Sequence, residues 1–314
     1  MGFRRNSALA QTDHSVDENA CPRLNAAETQ ARLPFPKLVD ALQVAVLELA
    51  DGKIRCPERQ AVPMAGGAIL LSMPVVADDL AAHKLITVAP RNKALGLPTI
   101  LGQLAILDGQ RGVTRLILDG ATVTGRRTAA MSMLGLRALG PRKINRVLVI
   151  GTGTQARGHV EALAALYPGI EVGVRGRTKD NEDHFQRQLA HLPLAWVQPS
   201  LDDPLDVVIT CTTSSTPVYA EAARLDRLLI AVGAFRPEAA ELSPEIIHAS
   251  EVFVDDPGGA PHEAGDLIQA NIDWKLVRAL GEILPHAVPP TRPRVFKTVG
   301  CAAWDLAAAR VAIL

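Results

Sequence analysis

No run of apolar residues in the 314-residue chain approaches the ~20 needed to cross a bilayer, so a membrane-spanning helix is not expected. Neither charge is in excess. Lys plus Arg number 33 and Asp plus Glu 33, which removes the basic footprint that a nucleic acid or an anionic membrane surface requires. The four cysteines (Cys21, Cys56, Cys211, Cys301) form no CxxC pair and the eight histidines no HxxxH pattern. Neither a disulfide framework nor a metal site is therefore indicated, and free thiols suit a reducing cytoplasm. The opening "MGFRRNSALAQTDHSVDENACPRL" lacks the long apolar segment of a secretory signal, and Asn6 stands where a myristoylation signal places Ser or Thr. Residues 1–24 read as a flexible extension.

Hydrophobic residues make up 48% and charged residues 21%, the balance of a soluble globular enzyme acting on small molecules. The length suits two cores better than one. Order is expected from Asn25, which can cap a helix while Glu28 reaches back to complete a capping box. A second helix runs from Pro36 to about Leu49. Four β-rich runs follow at 67–75, 83–90, 97–108 and 114–120 with no helices between them, predicting an antiparallel or mixed sheet. "TVTGRRTAAMSMLGLRALG" is a helix with Thr122 or Thr124 as N-cap and Gly140-Pro141 as stop.

From residue 146 strands and helices alternate, the sequence sign of a parallel sheet wrapped by helices. The tail "VFKTVGCAAWDLAAARVAIL" reads as one further helix that can pack back on the first half. After the strand "RVLVI" comes Gly151-Thr-Gly153-Thr154-Gln155-Ala156, a G-x-G-x-x-A fingerprint. Gly151 permits the tight turn, Gly153 lets the backbone approach a pyrophosphate, and Ala156 allows close helix packing. The helix N-terminus offers its unpaired N–H groups to the phosphates. The second strand ends in "VRGRTKD", where NAD-specific folds generally place an acid for the ribose 2′-OH. Arg175, Arg177 and Thr178 favour a 2′-phosphate there, hence NADPH with NADH possible; the alternative is a pair of solvated surface arginines. "TCTTSSTP" follows another strand, and the hydroxyls of Thr212 and Thr213 can line the cofactor or simply belong to a polar loop.

Three cations mark the first half: Arg59, Lys84 and Arg127. Lys84 lies inside an apolar strand pattern, which requires an anionic partner unless it is an edge lysine reaching solvent. Arg127 is expected in the first turn of its helix, where a cation opposes the dipole, unless it too is a surface residue. Both placements suggest a bound carboxylate.

"HKLITV", "NKALGLPTILGQLAILD", "TGRRTAAMSMLG", "VIGTGTQA", "DVVITCTTSSTP" and "FKTVGCAAWDLAAA" together resemble the ornithine cyclodeaminase and mu-crystallin superfamily, in order from about residue 25 to the end. The resemblance implies an α/β homodimer. Residues 141–289 would form a Rossmann domain for NAD(P), and residues 25–140 plus 290–314 a second α/β domain for substrate and dimerisation. It implies that Arg59, Lys84 and Arg127 grip the α-carboxylate of an amino-acid-like substrate. Thr99, Arg127, Thr154, Gln155, Thr213, Val232 and Thr298 would contact the cofactor.

Members of that superfamily that release ammonia carry an aspartate where this chain has Phe235 in "VGAFRPEAAEL", and cyclodeaminases a glutamate where it has Leu71. Without those carboxylates the pocket is expected to lack proton-trading carboxyl groups of its own. Reduction of a cyclic ketimine requires mainly that the planar imine be oriented for hydride at C2, with Phe235 and Leu71 as apolar wall. The pattern is similar to the reductases of Δ1-pyrroline-2-carboxylate and Δ1-piperideine-2-carboxylate, which serve trans-3-hydroxy-L-proline or lysine catabolism. Lys84 or, alternatively, His262 would supply a proton. Two other readings stay open: an NAD-dependent ornithine cyclodeaminase, and a mu-crystallin-like protein that binds NADPH and an iodothyronine.

Overall fold

Period-two burial builds the first layer. The computed structural model describes residues 21–198, 204–284 and 289–314; residues 1–20 of the expected extension lie outside it. Strands β1 (Gln60–Pro63), β2 (Ile69–Val76), β3 (Leu80–Val88), β4 (Ile100–Asp108) and β5 (Thr114–Asp119) form an antiparallel meander in chain order. The sequence reading missed β1. Along β3 the side chains of Leu80, Ala82, Lys84 and Ile86 are buried in alternation, so the lysine shares the inward face with apolar neighbours. Residues 22–24 are tied to β5: Leu24 N–H donates to Ile117 O at 2.8 Å and Ile117 N–H to Pro22 O at 2.9 Å. The expected extension therefore ends before Pro22 among the described residues.

Helix α1 (Ala26–Arg32) begins with the expected capping box, Glu28 N–H donating to Asn25 Oδ1 at 3.0 Å and Asn25 N–H to Glu28 Oε2 at 2.8 Å. Helix α2 (Phe35–Ala50) buries Phe35, Leu38, Val39, Leu42 and Val46, a 3.6-period stripe. Helix α3 (Gly120–Leu139) starts two residues before Thr122. Its cap is Asp119, whose Oδ1 accepts the Thr122 N–H at 2.8 Å, while the Thr124 hydroxyl donates to Gly120 O. This corrects the expected Thr122 or Thr124 cap. It also places Arg127 in the third turn and not the first, so the helix dipole is not what demands an anion there.

The second sheet has eight strands, all paired in parallel: β6 (Arg146–Ile150), β7 (Glu171–Arg175), β8 (Ala195–Trp196), β9 (Val207–Thr210), β10 (Leu228–Ala231), β11 (Glu251–Val254), β12 (Arg278–Ala279) and β13 (Arg294–Lys297). Their order is β12-β11-β13-β10-β9-β6-β7-β8. Helices α4 (Thr154–Leu166), α5 (Lys179–Gln188), α6 (Pro244–Ala249), α7 (Ala260–Glu263) and α8 (Gly265–Gln269) connect them, and α9 (Ala302–Ile313) closes the chain. The order reverses between β6 and β9, which opens a ligand crevice beyond their carboxyl ends.

The tail is strand then helix, not one helix. Residues 294–297, expected with the first layer, run inside the parallel sheet between β10 and β11, and the chain leaves it only after Lys297. Gly135 of α3 makes room for this: a Cβ there would collide with the ring of Phe296. Helix α3, buried along most of its length, is the wall shared by both sheets, with α2 and α9 beside it. One continuous apolar core therefore joins the two layers, and a second core lies on the far face of the parallel sheet.

Candidate active site

At the reversal point, Gly151 closes β6 with φ +124°, and its N–H donates to Arg175 O at 2.8 Å. A Cβ on Gly151 would stand 2.5 Å from Cys211 O, so only glycine lets the ends of β6 and β9 meet. Gly153 is the N-cap of α4 and has open space where a side chain would be; Thr154 and Gln155 form the first turn, and Ala156 is fully buried. Gln155 Oε1 is buried with no hydrogen-bond partner among the described residues. A sterically cleared turn, a free helix N-terminus and an orphaned amide oxygen fit a dinucleotide.

The neighbouring strand ends are stitched by one buried carboxylate. Glu241 accepts from Thr210 Oγ1 at 3.0 Å, Thr212 N–H at 2.5 Å and Gly233 N–H at 2.6 Å. Below it, Asp266 accepts the Glu241 and Leu242 N–H groups and pairs with Lys297 Nζ at 2.9 Å. Thr212 and Val232 are thus fixed at the rim of the crevice, and Thr213 is exposed beside them. Arg175 ends β7, and Arg177 and Thr178 are exposed just beyond it, the Thr178 hydroxyl capping α5. Thr99 is exposed ahead of β4, on the antiparallel sheet and not at a parallel strand end.

The structure gathers the three cations. Lys84 Nζ lies 2.9 and 2.8 Å from the two oxygens of Asp305 on α9, with both side chains closed to solvent. Arg127 Nε lies 3.4 Å from Asp305 Oδ1. The carboxylate that the lysine's placement demanded is internal, from the same chain. Burial, opposed by Asp305 and reinforced by the Arg127 and Arg59 charges, lowers the Lys84 ammonium to about 8. The adjacent Arg126 turns away, donating to Leu33 O at 2.8 Å and lying over the Phe35 ring, so only Arg127 faces the site.

Arg59 stands in the wall of a cavity of about 300 Å³ with Cys56, Met73, Asp256, Glu263, Gly300, Cys301 and Ala302. Its Nη2 pairs with Glu263 Oε2 at 2.7 Å and donates to the carbonyls of Val299 and Gly300. Gly300, at φ +76°, separates Arg59 from Arg127: a Cβ there would strike the Arg127 guanidinium. Asp255, at the end of β11, fixes this turn. Its carboxylate accepts from Thr298 Oγ1 at 2.7 Å, Val299 N–H at 2.9 Å, Gly300 N–H at 3.0 Å and Trp304 Nε1 at 3.1 Å.

Sequence reasoning missed Asp305, Asp255 and Glu263. Asp305 carried the same signal as Lys84, a lone charge in an apolar helix. Glu263 overturns the expectation of a pocket without carboxyl groups: burial, against the pull of Arg59 and with Asp256 and Asp255 adding to it, raises its carboxyl to about 7. Phe235 is partly exposed, and among the described residues neither it nor Leu71 is in the cavity wall, whose apolar part is Leu49, Pro57, Met73 and Ala302. His262 is at the rim, its side chain 70% exposed and 3.9 Å from Glu58.

Fold and site together define a two-layer dinucleotide-binding protein whose parallel sheet has its switch point between β6 and β9, with a cavity walled by Arg59, Asp256 and Glu263 just beyond the ends of β11 and β13. The chain belongs to the ornithine cyclodeaminase/mu-crystallin family, whose model matches residues 23–313. It is 50% identical over 296 residues to a Δ1-pyrroline-2-carboxylate reductase of Burkholderia ambifaria, covering 93% of this chain and 94% of that protein. It is 49% identical over 294 residues to a Δ1-pyrroline-2-carboxylate/Δ1-piperideine-2-carboxylate reductase of Azospirillum brasilense, with the same coverage. The solved Δ1-pyrroline-2-carboxylate reductase of Thermococcus litoralis, in complex with NADH and L-proline, shares the fold with a TM-score of 0.83 at 24% identity, over 93% of this chain and 96% of that one.

Proposed function

We propose that the protein reduces cyclic ketimines, Δ1-pyrroline-2-carboxylate to L-proline and Δ1-piperideine-2-carboxylate to L-pipecolate, with NAD(P)H. The observation that carries the reading is the convergence of Arg59, Arg127 and Lys84 around Gly300 and Asp305, just beyond the carboxyl end of β13 in the parallel sheet. Relatives near 50% identity act on this substrate class. Arg59 and Arg127 hold the substrate carboxylate, and Lys84 adds positive charge from behind through Asp305. When bound, the reduced nicotinamide supplies the hydride that C2 accepts. The Gly151–Gln155 turn holds the pyrophosphate, and Arg175, Arg177 and Thr178 favour the 2′-phosphate of NADPH. The cavity's apolar side chains cover the ring methylenes, excluding water and keeping the planar imine edge-on to the arginines.

A homodimer is part of the proposal. Val62, Met64, Leu95, Leu97 and Leu101 are between 45% and 71% exposed and cluster along the β1–β2 and β3–β4 ends of the antiparallel sheet. Covering that patch with a second copy removes it from water. A reducing, cytoplasmic setting agrees with Cys56, Cys211 and Cys301 remaining free thiols. Incubation with NADPH and each ketimine in separate reactions should yield L-proline and L-pipecolate by chiral chromatography. Release of ammonia from L-ornithine with NAD, and no product from either ketimine, would instead identify a lyase.

A further inference from the structure

Reduction of a C=N bond consumes a proton at nitrogen as well as a hydride at carbon, and the two donors expected from the sequence are poorly placed to give it. Lys84 is closed to solvent with its ammonium between both oxygens of Asp305. His262 is out at the rim beside Glu58. Three carboxyl groups, Glu58, Asp256 and Glu263, are among the described cavity-lining residues, and Glu58 is out at the rim with its side chain 78% exposed. Glu263 lies on α7 just beyond β11, its side chain 21% exposed, with Oε2 2.7 Å from Arg59 Nη2. That oxygen is shielded from solvent yet has no well-aligned hydrogen bond. Asp256, the nearby alternative, is occupied: its Oδ1 accepts the Gly258 N–H at 3.1 Å.

We infer that Glu263 is the proton donor to the imine nitrogen, an assignment that rests on the ketimine-reductase reading. Its carboxyl O–H bond breaks as the new N–H bond forms, leaving a carboxylate against the Arg59 guanidinium and a C=N⁺–H iminium in the cavity. C2 then accepts the hydride, the C=N π pair becomes the nitrogen lone pair, and a secondary amine results. One proton and one hydride have been added, and Glu263 regains its proton from water after product leaves. Arg59 has two tasks in this scheme. It is shared between the substrate carboxylate and Glu263, so the donor lies on the side of the ring that carries C2 and nitrogen.

The charged and titratable groups facing Glu263 are Arg59 from the segment before β1, Asp255 and Asp256 from the end of β11, and Arg127 from α3, with Glu58, His262, Cys56 and Cys301 elsewhere on the wall. The two aspartates and burial favour the protonated acid, and the arginines oppose them. The balance puts the Glu263 carboxyl at about 7, so it can give up and regain a proton near neutral pH.

The test compares wild type with Glu263→Gln and Glu263→Asp. Infrared difference spectra of the protein without ligands should contain a protonated-carboxyl band that titrates near pH 7 and is missing in Glu263→Gln. With NADPH and Δ1-pyrroline-2-carboxylate, Glu263→Gln should lose about 10²-fold in kcat while its Kd for NADPH is unchanged. Above the Glu263 titration, wild-type kcat should fall about tenfold per pH unit, a fall the Gln variant lacks and the Asp variant retains at lower pH. A Gln variant within twofold of wild-type kcat at the same pH profile, or no titrating band in the spectra, would overturn the assignment while leaving the reductase reading intact. Failure of wild type to turn over either ketimine would remove the reading itself, whatever the spectra contain.

Discussion

Lys84 and Asp305 meet at 2.8 Å with no solvent access to either, joining the middle of β3 to the first turn of α9 across 221 residues of sequence. Removing two charges from water costs several kcal/mol per ion, repaid only by close mutual contact. Breaking the pair by Asp305→Ala should therefore destabilise the fold by about 3–5 kcal/mol, because Lys84 and Arg127 are left as uncompensated buried cations. The double variant Lys84→Met with Asp305→Leu should be more stable than Asp305→Ala although inactive. Urea unfolding followed by circular dichroism checks both; equal midpoints for wild type and Asp305→Ala would contradict the role given to the pair.

Arg127 packs against Gly300, where any side chain would strike its guanidinium, with its Nε 3.4 Å from Asp305 Oδ1. Arg127→Ala should lower kcat/KM for the ketimine by on the order of 10²-fold or more, the loss of a charged hydrogen-bond partner, with KM raised. Steady-state kinetics decide it: an unaltered kcat/KM would mean that the residue does not anchor the carboxylate.

Arg175 and Arg177 have no role in the core, so their replacement should be felt only by the cofactor. The double Ala variant should weaken NADPH by about 10–100-fold and NADH by less than a few-fold. Titration by nicotinamide fluorescence separates the two; equal loss for both cofactors would remove the 2′-phosphate assignment.

The Lys84 anomaly was legible in the chain, but its explanation was not. A lysine in an apolar alternation shows that an anion is present without saying whether it is a ligand or a residue far along the chain. The strand, the glycine turn at Gly151 and Gly153 and the helix after it were legible, since they are contiguous. The tail was misread because all four residues of β13 are buried, so the strand offers no polar–apolar alternation, and its place between β10 and β11 is set by tertiary contacts. Glu263 could not be found by pattern. It lies on a four-residue helix, and its importance comes from where β11 ends relative to Arg59. Phe235 and Leu71 were assigned by comparison of motifs, which fixes position in sequence but not which wall a side chain joins.

His159, fully buried beneath the nucleotide turn, donates through Nδ1 to Gln155 O at 2.7 Å and accepts at Nε2 from the Ser132 hydroxyl at 2.8 Å. Burial lowers it from 6.5 to about 4, so the native state holds it neutral where the unfolded chain would protonate it. The sign follows directly. A depressed native value gives stability that is complete above pH 6.5 and lost as pH falls toward 4, worth about 3 kcal/mol across that window. His159→Gln should flatten the urea midpoint between pH 6.5 and 4 relative to wild type; an identical slope would place the acid sensitivity elsewhere.

The most direct test is a crystal structure with NADP⁺ and L-proline bound. The proline carboxylate should lie about 2.7–2.9 Å from the guanidinium groups of Arg59 and Arg127, with C2 facing the nicotinamide. A carboxylate turned away from both arginines would contradict it.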